Sequence, residues 1–253
     1  MHRLLRSLLL ISIGSLAAHT GLFGGMEIIL QVNSGATAKV DGAEVGPPTI
    51  EILTLWIQDT WGEVKGDDAV MILDRGGDRM MNLNPAKQEY SSTSFFALFE
   101  FRGDAYEKVS NVENFGFPRG SYGTAAPGVL TDHIFSITNP DSVQKPESSD
   151  QGGERLWMSG DQLLARWSLD GSELSETYLD NFVFWLRQTA GGHPLILTNL
   201  LEGGILPDQC ELLINEIRVT KNVGFEVVGF RERSDVTLES RLEGFSLHTE
   251  ASE

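Results

Sequence analysis

The chain has 253 residues, 41% hydrophobic and 22% charged, enough for one large domain with a substantial core. Its 36 acidic residues outnumber 19 basic ones, for a formal net charge of −17. That balance disfavours nucleic acid, whose phosphates attract Lys and Arg clusters, and docking on anionic lipid head groups. The acid groups are dispersed rather than gathered in a tail, which favours solubility.

Residues 1–18 open with Arg3 and Arg6, continue through a short apolar run from Leu8 to Ile13, and reach small residues at Ser15 and Ala17. This is the pattern of a secretory signal peptide, so a periplasmic or secreted location is expected, with 19–253 as a single domain. The apolar run is too short to span a bilayer, and no later segment is long and apolar enough. A single cysteine, Cys210, permits no intrachain disulfide and reads as a small core or edge residue.

In chain order, a strand is expected near Met26–Val32, followed by Gly- and Pro-rich punctuation ending at Pro47-Pro48. Residues 49–60 alternate with period two, placing Leu53, Leu55 and Ile57 on one face of a half-buried strand. "AVMIL" (69–73) is a shorter apolar strand. "DRGGD" supplies a Gly-Gly turn with positive φ, "RMMNL" returns with Met81 and Leu83 on one side, "NPAKQ" turns again, and "EYSST" follows. The result is an antiparallel meander.

Residues 92–109 fit two patterns. As a helix, Ser92 or Thr93 caps it and Phe95, Leu98 and Phe99 share a face; as a strand, Phe95, Ala97, Phe99 and Phe101 align. Helix is the favoured reading. Residues 111–155 form a loop-rich insert with one apolar island, "VLTDHIFSI", and a long exposed loop over 138–154. A hairpin turning at Ser159–Gln162 comes next. The strongest helix lies within 172–194, capped by Ser175, with Leu179, Phe182, Val183 and Leu186 at spacings of three and four. "PLILTNLL", "ELLINEIRVTKN" and "GFEVVGFRER" read as three further strands, and the tail past Ser240 as a fraying end.

Catalytic signals are weak. There is no G-x-S-x-G elbow, Walker loop, G-x-G-x-x-G or H-E-x-x-H. The five histidines are scattered; His133 beside Asp132 reads as a loop histidine, with a dyad as the sharper alternative, and His193 as a turn residue. No zinc ligand set is visible. Asp67 and Asp68 lie at one end of a strand and Asp74 and Asp78 at the other, about 16 Å away at 3.3 Å per residue, too far to share one ion. No metal and no cofactor is expected. Trp56, Trp61, Met71, Met80, Met81, Tyr90, Phe95, Phe96 and Phe99 are either ordinary core or the lining of an adaptable apolar cavity.

"TLWIQDTWGEVKGDDAVMILDRGGDRMMNLNPAKQEYSSTS" resembles the exported bacterial domains of unknown function related to the LolA/LolB/LppX half-barrel group. The likeness rests on Val70-Met71-Ile72-Leu73-Asp74, on Arg79 to Leu83, on Lys87 to Tyr90, and on a later "G-x-P-L" phrase at Gly192, Pro194 and Leu195, over roughly 50–92 and 190–230. The resemblance implies an α+β fold: a curved antiparallel sheet of roughly ten strands, a half-barrel, partly wrapped around two or three helices near 93–102 and 175–188. It also implies, by analogy of fold alone, carriage of a lipid or an acylated protein. On that reading Leu53, Leu55, Ile57, Met71, Leu73, Met81 and Leu83 form the wall of an apolar cavity, and Phe95, Phe99, Phe182 and Leu186 its lid. The protein is then a non-enzymatic binding protein; the alternatives are an envelope scaffold with a filled core, or a hydrolase assembled around Asp132 and His133.

Overall fold

The computed structural model describes residues 25–38, 42–67, 69–116, 125–137, 144–215, 219–234 and 236–248. The export-signal reading falls on 1–18 and lies outside them, as does Asp68. The first six strands are β1 (Gly25–Ala38), β2 (Thr49–Ile57), β3 (Trp61–Lys65), β4 (Val70–Asp74), β5 (Arg79–Asn84) and β6 (Glu89–Ser94); β2, β4, β5 and β6 belong to the expected meander, and β3 is an additional strand between β2 and β4. Helix α1 (Phe95–Gly116) and helix α2 (Pro127–Phe135) follow. Next come β7 (Glu147–Gln151), β8 (Glu154–Ser159), β9 (Gln162–Ser168), β10 (Gly171–Glu173), α3 (Glu176–Thr189) and α4 (Pro194–Glu202). The chain then runs through β11 (Ile205–Pro207), β12 (Gln209–Asn215), β13 (Val219–Arg233), α5 (Leu238–Leu242) and β14 (Ser246–Leu247).

Twelve strands join one open, curved sheet in the order β14-β6-β5-β4-β3-β2-β1-β13-β12-β9-β8-β7; β10 and β11 pair separately. Every neighbouring pair in the large sheet is antiparallel except β14 on β6. The α+β half-barrel class is therefore as expected, with two more strands than the rough count. β1 and β13 are its long spine, paired from Gly25↔Arg233 to Ala38↔Val219 with a bulge beside Ile29.

The two turns of the meander share one device. The Asp74 carboxylate accepts the Gly77 N–H at 2.8 Å, and the Asn84 side chain accepts the Lys87 N–H at 3.1 Å. In each turn the left-handed residue is the last one, Asp78 (φ 53°) or Gln88 (φ 54°), not a glycine. The Gly-Gly pair thus serves another purpose than positive φ. A Cβ on Gly77 would collide with the Asp74 carboxylate, so glycine lets that side chain cap its own turn.

Both faces of the meander are buried. On the inner face Ile28, Leu30, Leu55, Ile57 and Leu73 pack with Phe95, with Val129 and Leu130 of α2, with Leu179, Phe182 and Leu186 of α3, and with Ile196, Leu197 and Leu200 of α4. On the outer face Trp56, Trp61, Val70, Ile72, Met81 and Leu83 form a second cluster under Val236, Leu238, Leu242 and Phe245. The C-terminal tail is therefore a clasp rather than a fraying end. Its apolar residues cover the tryptophans, Arg241 pairs with the 8%-exposed Glu63, and Ser246–Leu247 add a parallel strand to β6. Each such side chain removed from water contributes about 1.5–3 kcal/mol.

Other expectations are corrected. α1 is a helix, as favoured, but Ser94 rather than Ser92 or Thr93 accepts the first-turn N–H, from Ala97 at 3.2 Å, and the helix continues past Gly103 to Gly116. The apolar island at 129–137 belongs largely to α2, started by Pro127 at its first turn. Residues 147–151 within the supposed long loop are an exposed edge strand. "PLILTNLL" is the helix α4, not a strand. His193 caps it through Nδ1, which accepts the Leu195 N–H at 3.1 Å, Pro194 starts it, and Ile196, Leu197 and Leu200 share its buried face. The α3 reading holds in detail: Ser175 accepts the Tyr178 N–H at 3.3 Å and Leu179, Phe182, Val183 and Leu186 are buried.

Candidate functional site

An apolar cavity of about 220 Å³ lies between the inner face of the sheet and the last two turns of α3. Its floor is Val223 and Phe225 of β13, Val32 of β1, Glu51 and Leu53 of β2, Val64 of β3 and Met71 of β4; Gly66 and Ala69 close one side. These five strands are adjacent, β4-β3-β2-β1-β13, so the cavity is a slot crossing them, about 19 Å long at 4.8 Å per strand. Its roof is Trp185, Leu186, Thr189 and Ala190. Period two explains part of the floor: Val32, Leu53 and Met71 each sit two positions from a residue packed deeper in the core, Leu30, Leu55 and Leu73 respectively.

The expected wall and lid divide into three groups. Leu53, Met71 and Leu186 line the slot itself. Leu55, Ile57, Leu73, Phe95 and Phe182 lie on the same face but are consumed by the packed core; Phe182 is fully buried against Phe225, ring centroids 5.3 Å apart. Met81 and Leu83 do not belong to the cavity: they face the opposite side of the sheet, under the C-terminal clasp. The reason is register. Directly paired residues share a face, and Leu73 pairs with Met80 while Ile72 pairs with Met81 and Val70 with Leu83. Phe99 is not a lid either. It is 36% exposed, and the Arg187 guanidinium lies 5.3 Å from its ring. Val223 and Phe225 were missed because their place depends on long-range pairing of β13 with β1, and Val64 because it lies on β3, the additional strand of the meander.

Among the described residues Glu51 is the one charged residue in the lining, and it is exposed, so it stands at the mouth. Gly66 makes room for it: a Cβ there would collide with the Glu51 carboxylate. The Thr189 hydroxyl is turned away from the slot's polar needs, donating to the Trp185 carbonyl at 3.0 Å. The buried Nε1–H of Trp185, which also borders a small neighbouring cavity with Asn181 and Phe184, has no acceptor among the described residues.

A second constellation is polar and buried. Contrary to the loop expectation, His133 is fully buried on α2. Its Nδ1 accepts the His193 N–H at 2.8 Å, so its other nitrogen carries the proton. Asp132, also buried, accepts from the Tyr106 hydroxyl at 2.9 Å and lies 3.7 Å from His193 Nε2. Ser136 donates to the Gly192 carbonyl at 2.8 Å, and Arg187 donates to the Ser136 carbonyl at 2.9 Å. Burial pushes His133 down to about 3 and His193 down to about 4. These groups tie α1, α2 and the α3–α4 junction together, and none of them lines the apolar slot. A catalytic dyad needs access to substrate; here both imidazoles are shut in by packing.

Cys210 is buried, and burial raises its thiol far above the ordinary range, so it is an inert core residue. Asp74 is engaged by the Gly77 N–H and by Arg79 at 2.9 Å. Among the described residues no group of three or more His, Cys, Asp or Glu is placed to hold a metal ion, and no helix is long and apolar enough to cross a membrane.

Comparison with protein-family models and with curated proteins returned no match. What the coordinates define is a class of architecture: an open, curved, largely antiparallel sheet whose inner face is covered by helices and keeps one apolar slot.

Proposed function

We propose that this protein is an exported, non-enzymatic binding protein that takes an apolar, chain-like ligand, a lipid or an acyl group, into the slot under α3. The observation that carries this reading is the slot itself, an elongated void of about 220 Å³ floored by Val32, Leu53, Val64, Met71 and Phe225. Dense packing is the rule in protein interiors, and an apolar void of about 150 Å³ already binds benzene. Each methylene buried there is worth about 0.8 kcal/mol, so even a partly enclosed chain gains several kcal/mol. The likeness to the LolA/LolB/LppX group supports the same reading by analogy of fold. Protein recovered from its native host, extracted with organic solvent and analysed by mass spectrometry, is expected to release an apolar chain in near-stoichiometric amount. Solvent extracts free of any such molecule, from protein that also takes up none when it is offered, would remove the proposal.

A scaffold role without a small ligand is favoured by a different feature. Ile50 (71% exposed) and Ile52 (47% exposed) leave an apolar strip on the outer face of β2. Cross-linking in the native host separates the two: a scaffold yields a stable protein partner through Ile50 and Ile52 and no extracted lipid.

A further inference from the structure

Resting on the proposed slot, we infer that its mouth selects the ligand's head group: the site takes one unbranched chain ending in an uncharged hydroxyl or a cationic ammonium, and rejects carboxylates. Two observations carry this. The slot is lined from five strands and holds about 220 Å³ in all, below the range of about 300–1,000 Å³ typical of sites for drug-sized ligands. It therefore suits one slender chain, not the paired chains of a diacyl lipid.

The second observation is the charge at its entrance. Among the described residues Glu51 is the sole charged group in the lining, and no Lys or Arg there answers it. Its carboxylate lies over Gly66 at the β3–β4 turn, in the space a Cβ there would occupy. An ionised carboxylate offers acceptors only, so it welcomes a hydroxyl or ammonium donor and repels a second carboxylate. Next to an apolar wall the repulsion is screened less than in open water.

The test compares dodecanol, dodecylammonium and dodecanoate, equal in chain length, by calorimetric titration of the full chain at neutral pH and low salt. The alcohol and the ammonium are expected to bind at least tenfold more tightly than the carboxylate. Glu51→Gln should narrow the gap for dodecanoate to threefold or less, whereas Glu243→Gln, an exposed acid beside the C-terminal clasp, should leave it unchanged. Equal binding of dodecanoate and dodecanol, or a gap that survives E51Q, overturns the head-group inference and leaves the slot standing. A gap that closes equally with E243Q traces it to overall charge and overturns it as well. Failure of all three probes to bind overturns the slot reading and this inference with it.

Discussion

The backbone N–H of His193 donates to Nδ1 of His133 at 2.8 Å, joining the cap of α4 to the last turn of α2 across 60 positions of chain. Both imidazoles are neutral in the folded protein because burial disfavours their charged forms.

Acid sensitivity follows from that bond. Both folded-state values lie below the ordinary 6.5, at about 3 and about 4. The stabilisation is therefore complete above pH 6.5 and is lost as pH falls towards those values. The limiting slope is about 1.4 kcal/mol per pH unit for each histidine. Asp132, 3.7 Å from His193 and itself hydrogen-bonded to Tyr106, softens the loss at His193, so His133 carries the steeper share. Urea unfolding between pH 7 and pH 4 should show a falling midpoint, and His133→Asn, which keeps an acceptor for the His193 N–H, should flatten it. A midpoint independent of pH in the parent protein would contradict the account.

The β4–β5 turn separates two glycines that look alike in sequence. Gly77→Ala should destabilise by about 1–3 kcal/mol, because its Cβ meets the Asp74 carboxylate. Gly76→Ala, whose nearest neighbour would be 3.6 Å away, should be neutral or gain a few tenths of a kcal/mol from a stiffer unfolded chain. Thermal melts of the two variants read this directly; equal melting temperatures would mean the cap is unimportant.

Core and lid candidates should separate as sharply. Phe182→Ala removes a fully buried ring and should cost about 3–5 kcal/mol, whereas Phe99→Ala should cost about 1 kcal/mol or less. Chemical denaturation midpoints give the comparison, and similar costs would show that Phe99 is packed more firmly than its exposure indicates.

The clasp predicts the effect of shortening the chain. Ending it after Ser234 uncovers Trp56, Trp61, Ile72 and Met81 and leaves Glu63 without Arg241. Tryptophan emission should shift to longer wavelength, and a dye specific for exposed apolar surface should bind. Unchanged emission would show that the outer cluster does not depend on residues 236–247.

How far this could be read from the sequence depends on the range of the interactions involved. The meander, the α3 helix and its Ser175 cap were legible because alternation, capping and three-four spacing act within one element. The α4 segment misled because an apolar run of eight residues fits a buried strand or a buried helix equally well; the deciding signal was the His193-Pro194 start. Met81 and Leu83 were assigned to the wrong face because face parity passes through a turn only when the register is known, and here Leu73 pairs with Met80. His133 looked like a loop residue because its partner, His193, arrives from a distant junction. Val223 and Phe225 entered the slot only once β13 was seen beside β1.

The central claim is that the slot accepts a chain. Native mass spectrometry of the protein with dodecanol, beside Met71→Trp, which fills the slot from its floor, tests this most directly. The account predicts a one-to-one adduct for the parent protein and none for the folded variant. No adduct with the parent, or an equal adduct with both, would contradict it.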